Sequence, residues 1–130
     1  MICLDTSSLI AFLEGDTGDD IETVDQALQD HEGAIAPVTL TELLSDPKLP
    51  RTLRGMISQL PVLPATEGYW ERAGLMRANI LKAGRKAKLA DTLIAQSCID
   101  HQAALVTRDK DFQAFSRYAG LKLLKSASSR

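Results

Sequence analysis

Short apolar runs alternate along the chain with longer segments in which apolar residues recur every three or four positions. The apolar runs predict about five short strands, at residues 2–4, 34–40, 61–64, 103–107 and 121–124. The periodic segments predict six or seven helices, at residues 6–14, 19–30, 41–44, 53–60, 69–83, 89–101 and 112–118. Strands that alternate with helices are typical of a parallel sheet covered by helices. The pattern therefore predicts an α/β fold.

The predicted helices differ in how much of their surface is apolar. The helix at 69–83 is clearly amphipathic, and we expect its apolar residues to line one buried side: Trp70, Ala73, Met76, Ile80 and Leu81. The helix at 6–14 is expected to bury Leu9, Ile10 and Leu13. The helix at 89–101 is apolar over most of its length, so we expect it to be largely buried.

Length and composition indicate one globular unit. The chain has 130 residues, 45% hydrophobic and 25% charged, which predicts a single domain over 1–130 with a frayed tail at 126–130. Cys3 and Cys98 lie in apolar segments without a Cys-x-x-Cys pairing and indicate buried thiols in a reducing compartment. No apolar run approaches the ~20 residues that cross a bilayer, so we expect a cytoplasmic protein.

The net charge of −2 conceals a polarity along the chain. Residues 1–50 hold eleven acidic residues and one basic residue, whereas residues 51–130 hold fourteen basic and six acidic residues. If folding keeps these halves apart, the protein has a basic side that attracts polyanions. If folding interleaves them, their fields cancel, and the sequence leaves both arrangements open.

Five carboxylates follow predicted strands or open the helices beside them: Asp5, Glu42, Asp91, Asp109 and Asp111. Because the carboxyl ends of parallel strands meet at one edge of a sheet, we expect these groups to converge. Each also has a simpler interpretation. Asp5 and Asp109 could cap helices, residues 39–42 fit a capping box, and Asp91 could complement a helix dipole.

Convergence would change the chemistry of these acids. Asp91 lies in the apolar segment 89–95, where an unpaired carboxylate is costly. Several carboxylates within ~4 Å would repel one another, and a bound cation would remove that cost. Oxygen ligands without cysteine or paired histidine favour Mg²⁺ or Mn²⁺ over Zn²⁺. Such an ion lowers the pKa of a coordinated water and screens a phosphodiester, so the acids suit phosphodiester cleavage.

Basic residues surround the candidate acids. Arg85, Lys86 and Lys88 precede Asp91, and Arg108 and Lys110 flank Asp109. They could hold a nucleic-acid backbone through contacts with its phosphates. A solvated loop and helix face is the alternative interpretation for each of them.

Four segments together resemble the signature segments of PIN-domain proteins in order and approximate spacing, at residues 4–10, 39–44, 89–95 and 105–112. The resemblance covers essentially the whole chain, and at this length it is closest to the VapC toxins of type II toxin–antitoxin pairs. It implies a three-layer α/β/α sandwich and an endoribonuclease that depends on Mg²⁺ or Mn²⁺. It also implies a homodimer and a cognate antitoxin whose C-terminal segment covers the active site.

The resemblance also implies roles for particular residues. By position, the metal-binding acids are Asp5, Glu42, Asp91 and Asp109, with Asp111 as the alternative fourth acid. Thr107 matches the hydroxyl residue beside that acid, and Thr6 or Ser7 would orient Asp5 or a water ligand. The basic segment 85–88 departs from the more apolar run usual in the family. A non-catalytic PIN-like module that binds RNA or a protein is the alternative function, although an intact set of acids argues against it.

Overall fold

The computed structural model describes residues 1–124, so the predicted tail at 126–130 lies outside the described part of the chain. Three parallel strands form the sheet: β1 (Ile2–Leu4), β2 (Gly33–Ala34) and β3 (Ala104–Val106). Their order is β2-β1-β3, and Ile2 lies opposite both Gly33 and Ala104. The predicted α/β fold with a parallel sheet is confirmed.

Seven α-helices are present among the described residues, which agrees with the predicted number. They are α1 (Thr6–Leu13), α2 (Asp19–Gln29), α3 (Pro37–Leu44), α4 (Arg51–Ser58), α5 (Tyr69–Lys82), α6 (Leu89–Asp100) and α7 (Gln113–Ala119). A 3₁₀ turn at Lys110–Phe112 leads into α7. None of the described helices is both long enough and apolar enough to cross a bilayer.

The prediction of about five strands is wrong, because two of the predicted strands are reduced to isolated parallel bridges. Val62 pairs with Ile35, and Leu123 pairs with Leu105. Pro61 and Pro64 flank the first bridge and have no N–H to donate, which limits pairing at that edge. At the other edge, hydrogen bonds are made only around Leu105, whose amide donates to Lys122.

The predicted strand at 34–40 is also too long. Proline is favoured at the first position of a helix because its φ is already helical, and Pro37 opens α3. The strand therefore ends at Ala34, and Thr39 lies inside the helix. Since Ala36 is the N-cap residue, the capping box expected at 39–42 is absent.

Two apolar clusters enclose the sheet because successive strand residues point to opposite faces. Cys3 and Leu105 belong to one cluster, and Leu4 and Val106 belong to the other. Helices α5, α6 and α7 contribute to the first cluster, with Ile80, Ile94 and Phe115 among their residues. Helices α1 to α4 contribute to the second, with Leu9, Val24, Leu43 and Ile57. The helices thus form one layer on each side of the sheet.

The burial of the helices follows the sequence pattern in part. Cys3 and Cys98 are buried free thiols, as predicted, and α6 is largely buried. However, Trp70 is 64% exposed, Leu81 46% and Ile10 40%. Helix α5 buries only the stripe through Tyr69, Ala73 and Ile80. Trp70 and Leu81 each follow a buried residue in sequence, and successive helix residues point about 100° apart.

Candidate active site

The site lies where the carboxyl ends of β1 and β3 meet. Asp5 directly follows β1, and residues 107–111 follow β3. The Asp5 amide donates to the carbonyl oxygen of Val106 at 2.9 Å, which joins the two strand ends. Helix α6 begins beside them and brings Asp91 in its first turn. The parallel register of the two strands therefore places side chains about a hundred positions apart at one edge.

Asp5 is held by hydroxyl groups. Its side chain is 3% exposed, and Oδ2 accepts hydrogen bonds from Ser7 Oγ at 2.5 Å and Thr107 Oγ1 at 2.7 Å. The Ser7 amide is a further donor to the same oxygen, at 3.4 Å, so Asp5 caps α1 as one interpretation of the sequence predicted. Of the two hydroxyl residues proposed to orient Asp5, Ser7 contacts it and Thr6 contacts Glu42 instead.

Three carboxylates form the centre of the site. One oxygen each from Asp91, Asp109 and Asp111 lies within 4.8 Å of the other two. Asp109 Oδ1 accepts from the amide of Asp111 at 2.9 Å, which caps the 3₁₀ turn. Asp91 Oδ2 is buried and has no hydrogen-bond partner among the described residues. A buried carboxylate oxygen without a partner is costly, and a bound cation would remove that cost.

The pKa of Asp91 reflects its burial and the charges around it. Burial raises the pKa of Asp91 from 3.8 to about 6, and the negative charges of Asp109 and Asp5 add to the shift. The positive charge of Lys88 opposes it. Asp5 thus acts on Asp91 through its charge, although it lies outside the group of three.

Two lysines compensate part of this negative charge. Lys86 Nζ lies 3.3 Å and Lys88 Nζ 3.5 Å from Asp111 Oδ2, and their contacts lower the pKa of Asp111. Both lysine side chains are more than half exposed. Exposed ion pairs of this kind contribute little to stability, so either lysine can release Asp111 and bind another anion at little cost.

Glu42 lies outside the group of three carboxylates. It is exposed on α3, and its Oε1 accepts a hydrogen bond from Thr6 Oγ1 at 2.7 Å. Thr6 Oγ1 also lies 3.2 Å from Thr39 Oγ1 on the buried side of α3. Thr6 therefore links the start of α1 to α3 and fixes the direction of the Glu42 carboxylate.

Arg108 has a different environment from the other predicted basic residues. Its guanidinium binds both oxygens of Asp20, at 2.8 and 3.0 Å, and one oxygen of Asp16 at 3.1 Å. The buried Ser8 hydroxyl also donates to Asp20, at 2.7 Å. Because its donors are occupied by these acids, Arg108 is left out of the proposed RNA contacts. Sequence reasoning missed Asp16 and Asp20, since an ion pair across 88 positions leaves no local signal.

Comparisons with known proteins identify the family. The PIN-domain family model matches residues 2–120. The chain therefore belongs to the PIN-domain family. Within it, the chain is 30% identical over 133 aligned positions to ribonuclease VapC11 of Mycobacterium tuberculosis and to a VapC ribonuclease of Mycobacterium bovis. Each alignment covers 94% of this chain and 96% of the relative.

Solved structures share the fold. VapBC-1 from nontypeable Haemophilus influenzae superposes with a TM-score of 0.75 at 23% identity, over 96% of this chain and 98% of that chain. VapBC2 from Rickettsia felis, bound to a DNA fragment from its promoter, gives 0.72 at 24% identity, over 95% and 98%. Both likenesses extend over nearly the whole of each chain.

Proposed function

We propose that this protein is a metal-dependent endoribonuclease and the toxin of a type II toxin–antitoxin pair. The observation that carries the proposal is the buried Oδ2 of Asp91, which has no hydrogen-bond partner within residues 1–124 and lies beside Asp109 and Asp111. Its mycobacterial relatives are named ribonucleases, which supports RNA as the substrate. The function thus rests on the chemistry of one carboxylate group together with homology.

The donor set fits Mg²⁺ or Mn²⁺. All candidate ligands are carboxylate oxygens, which hard divalent ions prefer. Among them, Asp91 Oδ2 has no partner within the described residues and is the ligand atom that most needs a cation. Asp91, Asp109 and Asp111 would hold the ion, with Asp5 and Glu42 at the margin. When bound, the ion would stabilise the charge of the phosphodiester and make a water molecule more acidic.

The other residues orient these acids and the RNA. Ser7 and Thr107 hold the Asp5 carboxylate in one direction, and Thr6 holds Glu42. Rigid acids of this kind offer an ion a preformed site, which lowers the cost of binding it. Arg85, Lys86, Lys88 and Lys110 would contact the phosphates of the RNA on either side of the cleaved bond.

The remaining proposals concern partners and location. Proteins of the same fold have been solved as VapBC assemblies, including one with promoter DNA. We propose that this chain likewise binds a cognate antitoxin, which covers the acids and blocks cleavage. We propose further that it forms a homodimer and acts in the cytoplasm.

Cleavage of RNA by the purified chain tests the function. Structured RNAs are incubated with Mg²⁺ or Mn²⁺, beside an EDTA control and an Asp5→Asn variant. Asp25→Asn is the matched control, because Asp25 is an exposed acid on α2. We expect cleavage by the parent and by Asp25→Asn only. Equal cleavage in every sample would reveal a contaminating nuclease and contradict the proposal.

A cellular assay tests the toxin role. Expression of the chain is expected to arrest growth, and Asp91→Asn or co-expression of the antitoxin should relieve the arrest. Binding of RNA without cleavage, across a wide panel of RNAs, would instead support the non-catalytic PIN-like module.

A further inference from the structure

A basic cavity adjoins the acidic group. It has a volume of about 290 Å³, and its walls include Arg85, Lys86 and Lys110 together with Arg117 and Tyr118 of α7. Asp111 belongs both to this cavity and to the group of three carboxylates. An occupant of the cavity would therefore lie directly beside the proposed cleavage site.

Three cations of the cavity have no acidic partner in the described part of the chain. Among residues 1–124, no carboxylate lies within 4.0 Å of Arg85, Lys110 or Arg117. By contrast, Arg72 is paired with Asp100, and Arg108 with Asp16 and Asp20. Unpaired cations that converge on a concave surface raise the local concentration of anions. The cavity thus has the electrostatics of an anion site.

The aromatic residue of the cavity adds a flat surface. Arg85 Nε lies 3.5 Å from the Tyr118 hydroxyl, and the Arg117 guanidinium lies 5.5 Å from the centre of the Tyr118 ring. Tyr118 is 41% exposed. Arginine binds phosphate with a planar pair of donors, and an exposed ring with an arginine beside it accepts a stacked base.

We infer that this cavity binds a backbone phosphate of single-stranded RNA beside the bond that is cleaved. The inference rests on the proposed ribonuclease function and assigns Arg117 and Tyr118, which no sequence motif marked, to the substrate path. A chain of phosphates fits the two adjoining sites, because one phosphate would lie at the cation-binding acids and a neighbouring one at the cations of the cavity. A peptide of acidic residues alone has no ring that could stack on Tyr118.

Binding without cleavage tests the inference. In an Asp91→Asn background without divalent ions, fluorescence anisotropy measures the affinity for a labelled 12-nucleotide RNA of mixed sequence. We expect Arg117→Gln and Arg85→Gln each to weaken binding roughly tenfold. The slope of log affinity against log salt should become shallower by about 0.7 for each phosphate that a variant no longer neutralises.

The matched control is Arg54→Gln. Arg54 is exposed on α4, which packs against the opposite face of the sheet. We expect its affinity to stay within about twofold of the parent value, as for a surface charge away from the ligand. Equal weakening by Arg54→Gln and Arg117→Gln would overturn a local site, and circular dichroism excludes misfolding of either variant.

Neutral phosphates locate the contact. A set of RNAs carries one methylphosphonate each, at successive positions. With Arg117 intact, a methylphosphonate at one position should weaken binding. In Arg117→Gln, the methylphosphonate at that position should have no further effect. Additive weakening by the two changes would overturn the inference. Binding of a labelled decaglutamate peptide is measured in the same way. If peptide binding depends on Arg117 and RNA binding does not, the inference is overturned in favour of a protein partner.

Cleavage by the chain with all acids intact is measured separately. We expect Arg117→Gln to raise KM more than it lowers kcat. If the parent cleaves RNA but RNA binding is independent of Arg85 and Arg117, the phosphate site fails alone. If the parent cleaves no RNA while the arginine dependence of binding holds, the ribonuclease function fails and the phosphate site stands.

Discussion

Two groups of carboxylates contact or include residues of the segment that follows β3, and their surroundings differ. Asp16 and Asp20 are bound by Arg108, with Ser8 as a further donor. In the group of Asp91, Asp109 and Asp111, two exposed lysines form salt bridges with Asp111, and a buried oxygen of Asp91 is left without a partner among the described residues. The first group is held by hydrogen bonds from within the chain, whereas the second keeps a buried oxygen that no described residue contacts.

The contrast appears in the pKa values. The hydrogen bond from Arg108 holds the pKa of Asp20 below its usual value, whereas burial and like charges raise that of Asp91 to about 6. A carboxylate whose ionised form is stabilised contributes to folding, and one whose ionised form is destabilised opposes it. Asp20 is therefore a structural acid, and Asp91 is the candidate for function.

The largest expected effect separates the two groups by activity. Asp91→Asn replaces a charged carboxylate ligand with a neutral amide, so the initial rate of RNA cleavage in Mn²⁺ should fall by at least about 100-fold. Asp20→Asn leaves the three carboxylates in place and should reduce the rate far less. A gel assay with a labelled RNA measures both rates. Comparable reductions in the two variants would remove the distinction.

The next effect concerns stability. Asp20→Asn weakens hydrogen bonds from Arg108 and Ser8, so the free energy of unfolding should fall by about 1–2 kcal/mol. Urea denaturation monitored by circular dichroism measures the change. Asp25→Asn, on the exposed side of α2, is the control and should stay within about 0.5 kcal/mol of the parent. An unchanged midpoint for Asp20→Asn would show that the ion pair is not structural.

Asp91→Asn should have the opposite sign in metal-free buffer. Removing the charge relieves its burial and its repulsion from Asp109 and Asp5, so stability should be unchanged or rise by less than about 1 kcal/mol. The same urea experiment in EDTA measures it. A clear loss of stability would mean that Asp91 mainly complements the dipole of α6.

The smallest effect is a pH dependence with opposite signs. The pKa of Asp91 is about 6 in the fold and near 3.8 when unfolded, so the folded state binds more protons between these values. Its contribution therefore makes the metal-free protein more stable as the pH falls from about 6 to 4. Asp20, with a lowered pKa, stabilises the fold above pH 3.8 and loses that effect as the pH falls further.

Urea midpoints across this pH range check the prediction in three proteins. The parent's gain in stability between pH 6 and 4 should be absent in Asp91→Asn. Asp20→Asn should keep that gain and should lack only the parent's loss of stability below pH 3.8. A parent and Asp91→Asn with parallel profiles above pH 4 would contradict the assignment.

The convergence of Asp5, Asp91, Asp109 and Asp111 could be predicted because it follows from parallel strand ends. The placement of Glu42 could not, because Pro37 starts α3 early and carries Glu42 more than one turn along an exposed face. The shortness of the edge strands could not be predicted either. It depends on Pro61, which has no N–H to donate, and on how few hydrogen bonds form around Leu105 in the folded chain. Ion pairs such as Arg108 with Asp20 depend on folded geometry alone.

Calorimetric titration of the metal-free protein with Mn²⁺ at pH 7 tests the central claim most directly. The acidic group is expected to bind Mn²⁺ in the parent and in Asp20→Asn, and to bind it at least about tenfold more weakly in Asp91→Asn. The account would be contradicted if the parent bound no Mn²⁺, or if Asp91→Asn bound it as tightly as the parent.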